Sequence, residues 1–494
     1  MELTISDYHD ALRSGRTTCA HTVAEYLSRI ALYNPTLRAL ITINPNALHD
    51  ARQKDREGFP HSPSPLHGVP LILKDTYATS SMPTTSGVCA LRALTTFDAP
   101  VVQRLLAAGA ILLAKANLHE FSLEGVTLSS LGGQALNPYD LTRTPGGSSG
   151  GTAAALAANL ALAGCGGDTV NSLRSPASAC SVVGFRPSRG RVDTRGVMPV
   201  SWTQDVAGPM ARTVRDVRIL FDVMKDGEYL GDPAIVPSVK SSSDPVRIGV
   251  LIGYFPDEST SDGLAIIQTI THALHLVGSK TPTVEFLPLQ NQPDWDVARL
   301  RANADTQAYE FQSALDSFLQ SPMVKSTPHL SLASVTASGE YHGEAVTPAF
   351  WQTQSQTQHH DEKDEEGGEF TPTSPQYRSR LDTIARLKES VTSCFEDLAL
   401  DALVFPHQRQ LVARVGPMVQ PGRNGILAAL TGRPAICIPA GFSASTDTAP
   451  QGVPIGLELM GRVGQDEWLL GLAERFEGLV QGRKAPLDEV YGGM

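Results

Sequence analysis

Serine, lysine and histidine are the side chains here whose placement could support acyl transfer. Ser148, Ser149, Ser172 and Ser175 are among the serines within Thr144–Pro187, where two glycine-rich clusters flank the run AAALAA. Glycine lets backbone approach backbone and reach conformations that cost other residues energy. AAALAA is strong helix sequence, so the stretch does not read as a flexible linker. A serine hydroxyl becomes a nucleophile when a base takes its proton and nearby donors hold the oxyanion that follows. The usual base is histidine, and this stretch contains none. His67 and His119 are the nearest in sequence, and with His407 they read first as structural histidines. A Ser-Lys arrangement is the chemical alternative, provided that burial penalises the charged form of the lysine. Lys74, at the exit of the apolar run Val69–Leu73, is the best-placed candidate, and Lys115 is second. Taken alone, a lysine that ends a core strand is more often a surface or ion-paired residue.

The elements that must position these groups alternate. Ile5–Ser14, His21–Tyr33 and Ala47–Glu57 read as helices, with apolar positions at helical spacing in the first two. Val69–Leu73 reads as a buried strand, Ala99–Ala108 as a helix, Ala110–Ala114 as a strand, and Asn117–Leu123 as the start of a short helix. Helices over Val214–Lys225 and Asp262–Leu276 alternate with strands over Val246–Ile252 and Val284–Leu287. A helix over Leu381–Leu398, strands at Ala402–Phe405, Ala435–Ile438 and Ile455–Met460, and a helix over Asp466–Leu479 complete the chain. This alternation implies an α/β fold with a large mixed sheet surrounded by helices, read as a single large domain over residues 1–494 with a helical segment at 1–60. Residues 321–376 are polar and poor in aliphatics, and are expected to form an exposed, flexible insertion. His359 and His360 within it read as solvated loop, with no metal site.

Composition narrows the function. The chain has 494 residues, 41% hydrophobic and 18% charged, and a net charge of −11, which argues against nucleic acid as a general partner. The start, MELTISDYHDALRSG, lacks a charged segment followed by an apolar core, so no signal peptide is expected. No run approaches eighteen apolar residues, so no membrane span is expected either. The cysteines (Cys19, Cys89, Cys165, Cys180, Cys394, Cys437) show no CxxC spacing and read as reduced thiols. The expectation is a cytoplasmic enzyme without a metal or organic cofactor.

Several stretches resemble the amidase signature family. They are LHGVPLILKD, GAILLAKANLHEF, NPYD, TPGGSSGGTAAALAA, GDTVNSLRSPASACSVVGFRPSRG, QDVAGPMARTVRD, RPAICIPAGF and GVPIGLELMGR, in that order. Any one of them would be weak; together they are specific. The resemblance implies a triad of Ser172 as nucleophile, Ser148 as bridging serine after a cis peptide, and Lys74 as base. It implies an oxyanion hole from the backbone N–H groups of Thr169, Val170, Asn171 and Ser172. Asp168, Arg174 and Ser149 are expected to brace the site, and the loop Phe121–Val126 to line the acyl pocket. Further pocket walls are expected from Ser201–Asp205, the 300–350 region and Val415–Asn424.

One departure stands beside the nucleophile, where Val170-Asn171 replaces the family's usual Gly-Gly. Asparagine tolerates left-handed backbone angles and valine does not, so either Val170 keeps a negative φ or the loop is reshaped. The implied function is hydrolysis of a carboxamide through a serine acyl-enzyme, with a small-molecule amide as substrate and a homodimer as one assembly the reading allows. The alternatives are the glutaminase subunit of a tRNA-dependent amidotransferase, a biosynthetic acyltransferase, and a weakly active or non-catalytic member that keeps the fold.

Overall fold

The computed structural model describes residues 2–60, 63–226, 245–290, 292–343 and 371–491. Eleven strands form one sheet. In chain order they are β1 (Leu40–Ile43), β2 (Pro70–Lys74), β3 (Ile111–Ala116), β4 (Ala163–Asp168), β5 (Val183–Arg186), β6 (Val206–Ala211), β7 (Val246–Leu251), β8 (Val284–Leu289), β9 (Ala402–Pro406), β10 (Ala435–Phe442) and β11 (Pro454–Gly461). Across the sheet the order is β1-β3-β2-β4-β6-β5-β10-β11-β9-β7-β8. β2 runs parallel to both β3 and β4, and β7 runs parallel to both β8 and β9. The remaining pairings are antiparallel, so the sheet is mixed, as the alternation of elements predicts.

Strands covered by helices on both faces bury every side chain and therefore read as continuous apolar runs. β2, β3, β6, β9 and β11 are buried throughout. The pleat sends alternate residues to opposite sides. On β9, Ala402 and Val404 join the larger apolar cluster, while Leu403 and Phe405 join a second one with Val170, Trp295, Leu300 and Ile426. The N-terminal helices Ile5–Arg13 and Cys19–Leu37 begin at Thr4 and Thr18, whose side chains accept from backbone N–H groups of the first turn. Such caps satisfy donors that the helix itself leaves unpaired.

Two elements differ from expectation. The helix expected over Asn117–Leu123 is a single 3₁₀ turn, Glu120–Ser122, with Phe121 and Ser122 at φ of 55° and 66°. Asn117 spends its side-chain amide on the carbonyls of Arg38 and Gly133 (2.9 and 3.1 Å), which pins the chain where a helix would have to start. Within 321–376, a strand at Val324–Ser326 and a helix at Leu332–Ser338 are formed, and the helix Pro375–Asp397 begins. Residues 344–370, including His359 and His360, lie outside the described residues.

Candidate active site

Lys74 is the last residue of β2 and Asp168 the last of the neighbouring parallel strand β4. Their register sets Leu73 beside Cys165, so both chains leave the sheet at the same edge. In open α/β sheets this carboxyl edge is where ligands bind. Ser148 and Ser149 precede the wholly buried helix Gly150–Ala157. That helix packs hard against the sheet's flank: a Cβ on Gly151 would lie 2.2 Å from the Asn117 carbonyl oxygen and 2.4 Å from that of Ala39. The turn Thr169–Ser172 follows β4 and leads into the helix Arg174–Ala179.

The structure brings Lys74 and Ser148 together, with Nζ and Oγ 2.7 Å apart and both residues buried. The peptide bond between Gly147 and Ser148 is cis. Ser149 Oγ donates to the Gly167 carbonyl (3.2 Å), and the Ser149 N–H donates to the Ser172 carbonyl (3.2 Å), stitching the two serine loops together. The Ser172 hydroxyl makes no hydrogen bond among the described residues, so a direct Ser148–Ser172 bond is not formed.

Burial disfavours the charged form of Lys74 and pushes its pKa down to about 7, against the pull of Asp205 and Asp168. Lys115 is engaged elsewhere: its ammonium donates to Asp75 (3.2 Å), to the Tyr77 carbonyl (2.6 Å) and to Thr84 (3.2 Å). The three histidines are not paired with the serine hydroxyls. His407 Nδ1 lies 2.6 Å from Glu458, and His67 packs its ring edge-on to Phe59. The His119 backbone N–H donates to the Ser148 carbonyl (3.1 Å), while both ring nitrogens are buried without a partner. Burial holds the His119 pKa down, to about 4.

Around Ser172 the backbone donors are available. The N–H groups of Thr169, Val170, Asn171 and Ser172 donate to no group among the described residues, although all four residues are buried. Such a cluster is uncommon, because buried N–H groups are normally paired. Val170 and Asn171 both keep negative φ, which resolves the choice posed by the missing glycines. The turn is held from beneath by Arg174, which donates to the Val170 carbonyl (2.6 Å) and to both oxygens of Asp168 (3.1 Å each). Arg186 adds a third guanidinium bond to Asp168 (2.8 Å), and the Leu173 N–H a fourth contact (3.1 Å). Burial alone would raise the Asp168 pKa, but the two guanidiniums outweigh it and hold the carboxyl well below its ordinary value. Arg174 also pairs with Glu458, which holds His407.

Asp205 received no role from the sequence beyond its place in an expected pocket wall. Its carboxylate accepts from Thr169 Oγ1 (2.6 Å) and from the N–H groups of Val200 and Ser201 (2.7 and 3.0 Å), so it braces the turn from the other side. A cavity of about 130 Å³ opens between Lys74, Thr169, Asp205, Val197, Met198 and Trp202. Trp202, 52% exposed, stands at its rim. Ser201, Trp202 and Asp205 from the stretch Ser201–Asp205 line this cavity, as does Ser122 from the loop Phe121–Val126.

The amidase family model matches residues 21–470. The crystal structure of peptide amidase from Stenotrophomonas maltophilia superposes with a TM-score of 0.80 over 98% of both chains, at 30% identity. A glutamyl-tRNA(Gln) amidotransferase subunit of Chloroflexus aurantiacus is 28% identical over 97% of each chain. The same subunit of Roseiflexus sp. is 42% identical over 45% of this chain, and the match spans 46% of that relative's length. With a family match over most of its length and a whole-chain fold in common, the chain belongs to the amidase signature family.

Proposed function

We propose that the protein is a stand-alone amidohydrolase that cleaves a carboxamide through an acyl-serine. The observation that carries this reading is the buried 2.7 Å contact between Lys74 and Ser148, with Lys74 brought to a pKa of about 7. A lysine so placed is neutral in a substantial fraction of molecules at neutral pH and can act as a base. Neutral Lys74 takes the Ser148 proton, Ser148 takes the Ser172 proton, and Ser172 Oγ attacks the carbonyl carbon. A side-chain rotation of Ser172 would close the remaining link; catalytic hydrogen bonds often tighten only when substrate is bound. The oxyanion is received by the free N–H groups of Thr169–Ser172, where the loss of one donor typically costs about 2.7–4 kcal/mol. The relay then returns the proton to the departing nitrogen as the C–N bond breaks. Water attacks the acyl-enzyme, giving the acid and regenerating Ser172.

Ser172→Ala should abolish amide turnover, by a factor of about 10³ or more in kcat, while the circular dichroism spectrum and melting temperature stay close to wild type. Retention of full turnover would remove Ser172 from the mechanism. A second reading, a glutaminase subunit working with partner chains, is favoured by the names of the curated relatives. Assaying the purified chain alone on simple amides and on glutamine separates the two.

A further inference from the structure

Asp205 braces the oxyanion turn, and the loop that carries it is held in turn by Glu310, in the first turn of the helix Gln307–Leu319. Glu310 is buried, and four donors converge on its carboxylate. Oε2 accepts from Ser201 Oγ (2.5 Å) and the Thr203 N–H (3.1 Å), and Oε1 from Thr203 Oγ1 and the Tyr377 hydroxyl (2.7 Å). No cation pairs with Glu310 among the described residues. A carboxylate in the interior is costly unless its oxygens are satisfied, and here three hydroxyls and one backbone N–H satisfy them.

A second link leaves the same end of that helix. Gln204 Oε1 accepts from the Thr306 N–H and hydroxyl (2.7 and 2.8 Å), and Gln204 Nε2 donates to the Thr169 carbonyl (3.5 Å). Both links end on Thr169. Glu310 fixes Ser201 and Thr203, the N–H groups of Val200 and Ser201 fix the Asp205 carboxylate, and Asp205 accepts the Thr169 hydroxyl. Thr169 opens the turn whose unpaired N–H groups surround Ser172, so its placement aims those donors. A misplacement of about 1 Å, even one caused far from the chemistry, can cost about 10²-fold in rate. The stretches that carry the family resemblance include neither Glu310 nor Tyr377, so this support belongs to the chain's own intervening segment.

We propose that Glu310 is a positioning residue for the oxyanion turn, holding Thr169 through Ser201, Thr203 and Asp205 so that the N–H groups of the turn meet the oxyanion. Tyr377, half-buried on the helix Pro375–Asp397, fills the fourth place on the carboxylate and extends the support to that helix.

The proposal rests on the acyl-serine reading for what the turn does, and one probe separates the two. With an alkyl fluorophosphonate, Ser172 Oγ attacks phosphorus, its proton passes to Ser148, fluoride leaves, and the phosphoryl oxygen takes the oxyanion's place. Labelling rates at several probe concentrations give a saturation constant KI and a maximal rate kinact. Wild type should label and Ser172→Ala should not. A wild-type protein that takes no label at Ser172 overturns the acyl-serine reading, on which the proposal stands. In Glu310→Ala, kinact should fall about tenfold or more while KI stays within about twofold, because the turn acts on the transition state and not on probe binding. Glu310→Gln should restore kinact to within about threefold of wild type. Its oxygen can accept from the Thr203 N–H and Ser201, and its amide can donate to the hydroxyls of Thr203 and Tyr377. Tyr377→Phe removes one donor at a half-buried site; kinact should fall about threefold with the melting temperature unchanged, which carries the test should Glu310→Ala not fold. A wild-type kinact in Glu310→Ala or Tyr377→Phe, a change confined to KI, or no recovery in Glu310→Gln overturns the proposal and leaves the acyl-serine reading intact.

Discussion

An amine buried at the end of a strand loses its hydration, and at Lys74 that loss outweighs the attraction of Asp205 and Asp168, leaving a pKa of about 7. Below that value Lys74 is an ammonium and cannot accept a proton. kcat/KM for a neutral amide should therefore fall as the pH drops through about 7 and level off above it. Of the two opposing charges, Asp205 acts more strongly, and it favours the ammonium. Asp205→Asn removes that support, so the Lys74 pKa drops and the acid limb of the pH profile moves to lower pH. A limb that stays near 7 in the variant would mean that a group other than Lys74 controls it. The roles of Lys74 and Asp205 were not equally legible. Lys74 stands inside a motif, and the need for a base in a histidine-free cluster points to it. Asp205 comes near it only through the antiparallel pairing of β4 with β6, which sets Asp168 beside Val206. Lys115 also stands near the end of a strand, and only the surrounding Asp75, Tyr77 and Thr84 show that it is a structural cation.

At the scale of elements, the site is braced by ion pairs between four pieces of structure. Asp168 ends β4, Arg174 opens the next helix, Arg186 ends β5, and Glu458 sits in β11 against His407 just past β9. All of these side chains are buried. Replacing one partner of a buried pair leaves an uncompensated charge and costs about 3–5 kcal/mol. Asp168→Ala leaves Arg186 without a carboxylate and Arg174 with Glu458 alone, so its stability in urea should fall by about that much, with activity lost even where the fold persists. A loss below about 1 kcal/mol would show that the guanidiniums find water or another carboxylate. The sequence places Asp168, Arg174 and Arg186 in one motif, whereas Glu458 belongs to another, with nothing to link the two before the sheet order is known. The same limit applies to Val170-Asn171. Their types raise the question of φ, but their partners, the cluster around Leu300 and the N–H of Gly425, come from elements more than a hundred residues away in the chain.

The whole molecule is closed by its two ends. The Ile5 N–H donates to Asp216 (2.9 Å), Arg483 pairs with Glu2 (2.5 Å), and the Tyr139 hydroxyl donates to the Lys484 carbonyl (2.5 Å). The larger apolar cluster draws residues from Ile5 to Tyr491, and the second cluster lies across the same strands, sharing β9 residue by residue. A sheet whose alternate side chains feed both clusters cannot lose one of them without baring the other, so the alternation that suggested a mixed sheet also suggests a single cooperative unit. Two tryptophans report on the two sides. Trp295 is buried in the second cluster, and Trp468 packs on the larger one from the helix Asp466–Val480. Variants that retain only one or the other should show coincident urea midpoints by fluorescence, and both should match the midpoint by far-ultraviolet circular dichroism. Chains of this length commonly break into separately unfolding parts, so coincidence would be informative. A Trp295 transition that precedes that of Trp468 would show that the layer holding Val170, Leu300 and Ile426 unfolds on its own, and that the oxyanion turn can be disordered while the rest of the sheet stands.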